Sequence, residues 1–174
     1  MKNDVFISVV VATHKRPKLL ARCLKSILQQ NISHEIILCA DEGTVETKTI
    51  ASMYLRETDT FVALPNKKGP AATRNIGVSL ANGEWICFLD DDDSFDEKFF
   101  ENILETLKNN RNKVNYFNYK SVIDDENLVS LKVEKIDLDK KDITNLWICN
   151  FIPNNTIMIP SEMAKQVLID EKLQ

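Results

Sequence analysis

The chain has 174 residues, enough for one domain with a buried core, and its 44% hydrophobic and 28% charged residues are the balance of a soluble globular protein. A formal net charge of -4 speaks against a general nucleic-acid binder, which needs a basic surface to meet phosphates. The four cysteines (Cys23, Cys39, Cys87 and Cys149) form no C-x-x-C pair, and with only His14 and His34 beside them a structural zinc site has little to draw on.

The elements follow in order. Val5 to Ala12 is a mostly β-branched run, apolar but for Ser8, the pattern of a strand buried on both faces. Pro17 then opens an amphipathic helix from Lys18 to Gln30, with Leu20, Cys23, Leu24, Ile27 and Leu28 at three-and-four spacing. Glu35 to Ala40 is a second buried strand, ending in the turn Asp41-Glu42-Gly43-Thr44. Thr47 to Arg56 reads as helix, Thr60 to Leu64 as strand, and Ala71 to Ala81 as helix, with Asn82-Gly83 as its stop. Trp85 to Leu89 is a strongly apolar strand that runs into four aspartates. A helix from about Asp96 to Asn109 follows, with Ser94 or Asp96 as its cap.

Up to residue 110 the rhythm is β-α-β-α-β-α-β-α, which predicts an α/β fold: a mostly parallel sheet flanked by helices. Beyond it the pattern becomes irregular. Val114 to Val122, Leu128 to Val133 and Thr156 to Ile159 read as strands, Asp142 to Trp147 as a short helix, and Ser161 to about Leu168 as another. No repeat, low-complexity stretch or linker divides the chain, so residues 1-174 are expected to form a single domain. No secretory signal opens the sequence and no apolar stretch is long enough to span a bilayer. The expected location is cytoplasmic, with peripheral association at the inner face of the membrane left open.

In open α/β sheets, ligands bind beyond the carboxyl ends of the strands. The polar groups there are Thr13-His14-Lys15-Arg16, Asp41-Glu42 and Asp90-Asp91-Asp92-Asp93. Four adjacent carboxylates repel one another unless a counter-charge is present, and a hard divalent cation such as Mn2+ or Mg2+ supplies one while also meeting phosphate oxygens. The bland alternative is a solvated acidic turn capping the next helix. Arg74, in an otherwise small and apolar helix, can reach a phosphate or pair with the aspartates. Lys67 and Lys68 read more simply as a solvated basic loop. His14 is open to stacking or hydrogen bonding, and His34 is assigned no role.

The same residues resemble the motifs of glycosyltransferase family 2. Val9 to Arg16 resembles that family's apolar-P-T-Y-N-R strand and loop, and Ala40 to Thr44 its V-D-D-G-S turn. Gly69 to Gly83 is similar to its G-x-x-x-A-R-N-x-G-x-x-x-A-x-G segment, and Phe88 to Asp93 to its F-L-D-x-D-D motif. The four stand in the family's order and cover roughly residues 5 to 110. The resemblance implies a GT-A, Rossmann-like fold. Residues 1-110 would form the nucleotide-sugar-binding half and 111-174 the start of the acceptor-side half.

It further implies metal-dependent, inverting transfer of a sugar from a nucleotide-diphospho-sugar to a hydroxyl of a glycan or lipid-linked acceptor. Asp92 would be the principal ligand of Mn2+ or Mg2+, with Asp90 completing the D-x-D pair. Asp91 would face the ribose, Glu42 with Asp41 beside it the base, Arg74 the base or phosphates, and Thr13 and His14 would line the base pocket. Ala12, His14, Lys15 and Glu42 depart from the family's usual residues and leave the base open. Ile169-Asp170-Glu171-Lys172-Leu173 resembles the segment that precedes the family's acidic catalytic motif. The expectation is therefore a chain cut short, with the base beyond Gln174.

Two other readings compete. One is a non-catalytic nucleotide-sugar-binding fragment. The other, weaker, is a haloacid-dehalogenase-like phosphatase, whose D-x-D is followed by Gly-Thr, where this chain has Asp93-Ser94 after its fourth strand.

Overall fold

The computed structural model describes residues 6-147 and 149-172. Among these residues five α-helices and eight strands follow one another: β1 (Ile7–Thr13), α1 (Pro17–Leu28), β2 (His34–Ala40), α2 (Val45–Tyr54), β3 (Thr60–Ala63), α3 (Pro70–Leu80), β4 (Trp85–Asp90), α4 (Phe99–Asn109), β5 (Asn115–Tyr116), β6 (Tyr119–Asp124), β7 (Ser130–Ile136), β8 (Ile157–Pro160) and α5 (Ser161–Gln166). A six-stranded sheet has the order β3-β2-β1-β4-β8-β5, and β6 and β7 form a separate hairpin. The first four strands are mutually parallel, while β8 lies antiparallel between β4 and β5. The expected mostly parallel α/β sheet is present. Its last two strands come from the irregular second half.

Strand alternation distributes the core. Ile7, Val9, Val11, Trp85, Cys87 and Leu89 point to the face covered by α1, α2 and α4, where they meet Leu20, Leu24, Ile27, Phe100 and Leu107. Val10, Ile37, Ile86 and Phe88 point to the opposite face, covered by α3 and α5. Each such side chain, fully buried, contributes about 1.5–3 kcal/mol, which fixes which helix sits on which face. Gly77 lets α3 approach β1: a Cβ there would lie 2.3 Å from Val10 Cγ1. Cys23, Cys39 and Cys87 are buried free thiols, and Cys149 is exposed. Burial pushes the Cys39 thiol up to about 12 and raises Cys87 further, so both are inert.

Three expectations need correction. The helix start expected at Asp96 falls at Phe99, because Lys98 adopts a left-handed φ of 62°. Neither the Ser94 nor the Asp96 side chain caps it. The Gln30 amide oxygen does, accepting from Phe100 N at 3.0 Å. The helix α3 ends at an extended Ala81 rather than in a glycine-terminated turn, and Gly83 serves instead for close approach, since a Cβ there would be 2.8 Å from Ser8 N. The strand expected from Val114 to Val122 is broken after Tyr116 into β5 and β6, which join different sheets. No helix among the described residues is long and apolar enough to cross a membrane.

Candidate functional site

The parallel register brings three polar strand ends side by side. Ala12 pairs with Asp90 across β1 and β4, and Thr13 with Ala40 across β1 and β2. The Asp41 N–H donates to Thr13 O at 2.9 Å, so the turn after β2 starts level with the end of β1. The three polar strand ends are thereby gathered at one edge, beyond the carboxyl ends of the strands, and Arg74 joins them from α3.

Their side chains divide into an inner and an outer layer. Asp91 is fully buried. Its Oδ2 accepts from Thr13 Oγ1 at 2.6 Å and from His14 N at 3.3 Å, while Oδ1 lies 2.5 Å from Arg16 Nη2 in an ion pair without hydrogen-bond alignment. Burial pushes the Asp91 pKa up, although the Thr13 hydroxyl, Arg16 and the His14 amide pull the other way. Asp91 was expected to face a ribose. It points instead into the protein and holds the β1–α1 turn, and Thr13 points with it. Asp41, 5% exposed, also turns inward, accepting from Lys68 N at 2.6 Å and Gly69 N at 2.9 Å. This anchors the loop that leads into α3.

The outer layer is partly exposed. Asp90 accepts from Arg74 Nη2 at 2.5 Å, with the carboxylate side chain 37% exposed. Asp92 accepts from Arg16 Nη1 at 2.7 Å, and the Asp92 carbonyl accepts from Arg22 Nη2 at 2.5 Å. Glu42 Oε2 lies 3.0 Å from Lys15 Nζ and 3.5 Å from His14 Nε2. Hydrogen bonding from Lys15, then His14, holds the Glu42 carboxyl below its ordinary pKa. Both Lys15 and Glu42 carry left-handed backbone, φ 54° and 67°, a conformation that costs a non-glycine residue about 1–2 kcal/mol and concentrates at functional turns.

A cleft of about 760 Å3 opens beside this edge, between the segment after β4 and the β6–β7 hairpin. Asp92, Asp93, Arg22, Phe95, Phe117 and Lys120 are among the residues that line it. It meets the site at Asp92, and none of His14, Glu42, Arg74 or Asp90 lines it. Within the cleft Asp93 accepts from Asn155 Nδ2 at 2.6 Å.

Arg22 was missed in the sequence, and Arg16, named among the strand-end polar residues, was given no role. Arg16 spans the inner and outer aspartates, and Arg22 ties Asp92 to the hairpin through Asp124. Arg22, Ser26 and Gln30 share one face of α1 and meet the 92-96 segment, through Asp92 O, Phe95 N and Asp96 O, a contact that no spacing in the sequence announces. Lys67 is exposed and Lys68 enters through its backbone alone, as a solvated loop would. The buried His34 hydrogen-bonds through Nδ1 with Ile32 O, away from the site. Among the described residues no three carboxylate, histidine or cysteine side chains gather closely enough to hold a metal by themselves. Asp90 and Asp92 offer two partly exposed carboxylates, a number that suits a cation completing its shell with phosphate oxygens and water.

The Glycosyl transferase family 2 model matches residues 8–167. Among curated proteins, the chain is 34% identical over 119 residues to glycosyltransferase GlyG of Streptococcus pneumoniae, covering 65% of this chain and 40% of GlyG. It is 36% identical over 91 residues to the GalNAc(5)-diNAcBac-PP-undecaprenol beta-1,3-glucosyltransferase of Campylobacter jejuni, covering 50% of this chain and 29% of that protein. The fold is similar to that of S. aureus TarS residues 1-349 in complex with UDP, at a TM-score of 0.75 and 19% identity, covering 97% of this chain and 51% of that one. The chain thus spans well under half the length of these two curated relatives. With its ordered motifs and its sheet, the chain belongs to glycosyl transferase family 2.

Proposed function

We propose that this chain carries the donor site of a transferase that moves a sugar from a nucleotide-diphospho-sugar to a hydroxyl of a glycan or lipid-linked acceptor. The observation that carries the reading is the outer layer at the sheet edge. Asp90 and Asp92 stand partly exposed with Arg74 and Arg16 on them, next to the Glu42–His14 pair. In this reading Glu42 and His14 meet the base, and Arg74 meets the phosphates.

Asp92, with Asp90, holds Mn2+ or Mg2+, which when bound neutralises charge on the departing diphosphate. Transfer is inverting. The cleft of about 760 Å3 that meets the site at Asp92 receives the acceptor. Synthesis of a surface polysaccharide at the cytoplasmic face of a membrane is the setting proposed. UDP, held by TarS, is the first nucleotide to try.

Calorimetric titration with UDP, GDP, CDP and dTDP, each with Mn2+ and with chelator, tests the donor site. The expected result is metal-dependent binding of one nucleotide, abolished in Asp92→Ala. A folded protein that binds none of them under either condition would overturn the reading. The phosphatase alternative has nothing in its favour here, since the aspartate run closes the fourth strand and its second member is buried.

A further inference from the structure

Arg16 sits between two aspartates of opposite kind. One nitrogen, Nη2, serves the buried Asp91 at 2.5 Å, and the other, Nη1, serves the exposed Asp92 at 2.7 Å. Asp91 has no exposed surface, and its Oδ1 has no other partner than this guanidinium. Removing Arg16 from Asp91 would leave a buried charge uncompensated, which is costly. The bond to Asp92 is different. It lies at the surface, where Arg16 is 46% and Asp92 45% exposed, so breaking it costs far less than breaking the buried one.

The backbone reinforces this inequality. Arg16 immediately precedes Pro17, the first residue of α1, and Lys15 before it takes a left-handed φ of 54°. The guanidinium is therefore tethered from both ends, by its own backbone and by Asp91. It can give up Asp92 without leaving.

From this geometry we infer that Arg16 is a charge latch on the metal-binding carboxylate: it holds Asp92 in the nucleotide-free protein and transfers its free Nη1 to an oxygen of the donor diphosphate when the cation takes Asp92. The inference rests on the donor-site reading above. Its consequence is reciprocal coupling. A cation arriving alone leaves that nitrogen of the arginine to water, whereas a cation arriving with a diphosphate brings it a new anion. Cation and nucleotide therefore each raise the other's affinity, by the same factor.

The test measures Mn2+ binding by the electron paramagnetic resonance of free Mn2+, without nucleotide and then with UDP or GDP. Wild-type protein, Arg16→Gln and Arg16→Lys are compared. Arg16→Lys keeps a cation near Asp91 but loses the fork, so it covers the case in which Arg16→Gln does not fold. A double variant, Arg16→Gln with Asp91→Asn, removes the buried charge and its partner together.

The expected result is weak Mn2+ binding to the nucleotide-free wild type and roughly two- to fivefold tighter binding to the folded variants, the scale of one exposed ion pair. The nucleotide-induced gain in Mn2+ affinity should shrink by a similar factor. Unchanged or weaker Mn2+ binding in the folded variants would overturn the latch while leaving the donor site standing, and so would tight binding to the nucleotide-free wild type. Wild type that binds Mn2+ in no condition would instead remove the metal reading itself, and the latch with it.

Discussion

The carboxylate of Asp41, at the end of β2, accepts the backbone N–H of Gly69 at 2.9 Å, where the chain takes a φ of 89° on its way into α3. Lys68 N donates to the same carboxylate at 2.6 Å. The helix that carries Arg74 is thus positioned from the neighbouring strand. Replacing Asp41 by Ala leaves two backbone donors without their acceptor. It should cost about 1–3 kcal/mol in denaturant unfolding and speed amide exchange at Lys68 and Gly69. Exchange rates unchanged at those two amides would show that the loop is held by something else.

Arg74 should matter for ligand more than for fold. Its side chain is 13% exposed, and that of its partner Asp90 is 37% exposed and can turn to water. Arg74→Ala is expected to weaken nucleotide diphosphate binding about tenfold or more, with circular dichroism unchanged. Equal binding by the variant would remove Arg74 from the donor site.

Gly77 is a packing requirement. Alanine is ordinarily the better helix former by about 1 kcal/mol, yet here its methyl would meet Val10 Cγ1 at 2.3 Å. Gly77→Ala should therefore destabilise by about 1–3 kcal/mol. Combined with Val10→Ala, the loss should be smaller than the sum of the two single losses. Simple additivity would mean that α3 shifts to make room.

Asp59 gives the fold a pH signature away from the site. It accepts from Ile36 N at 2.9 Å, from Arg56 N at 2.8 Å and from the Arg56 side chain at 2.8 and 2.9 Å. Burial pushes its pKa up, but these donors more than offset that and hold it below the ordinary value. A depressed carboxylate contributes stability above its unfolded pKa and loses it as pH falls through the folded one. Asp59→Asn should thus destabilise by about 2 kcal/mol at neutral pH. The gap from wild type should close as pH drops below about 4. A gap that stayed constant to lower pH would contradict the assignment.

Much of this was legible because hydrophobic runs dictate strands. The runs around Val10, Ile37 and Phe88 set the parallel core, and the topology then gathered the polar residues behind them. Less was legible about direction. Asp90 follows the parity of Ile86 and Phe88 and meets α3 through Arg74, while Asp91 continues that of Trp85, Cys87 and Leu89 toward α1 and its leading residue Arg16. That alternation was available in the sequence, and reading it one residue past the strand would have turned Asp91 inward. The contacts of Arg16 with residues 91 and 92, and of Arg22 with Asp124, were not available. They depend on the reach of long side chains between segments some 70 to 100 positions apart, which no local pattern encodes.

The place of β8 has a consequence for how the molecule is made. β4 pairs on one side with β1, which precedes it, and on the other with residues 158–160. As synthesis proceeds, the apolar strand Trp85–Asp90 emerges long before its second neighbour, and until then one row of its backbone donors and acceptors is open to any passing strand. A polypeptide ending near residue 110 would keep that open edge for good. The aspartates at the sheet edge thus grow from a strand whose protection against aggregation is encoded some 70 residues downstream, and residues 1-110 would be poorly soluble if expressed by themselves.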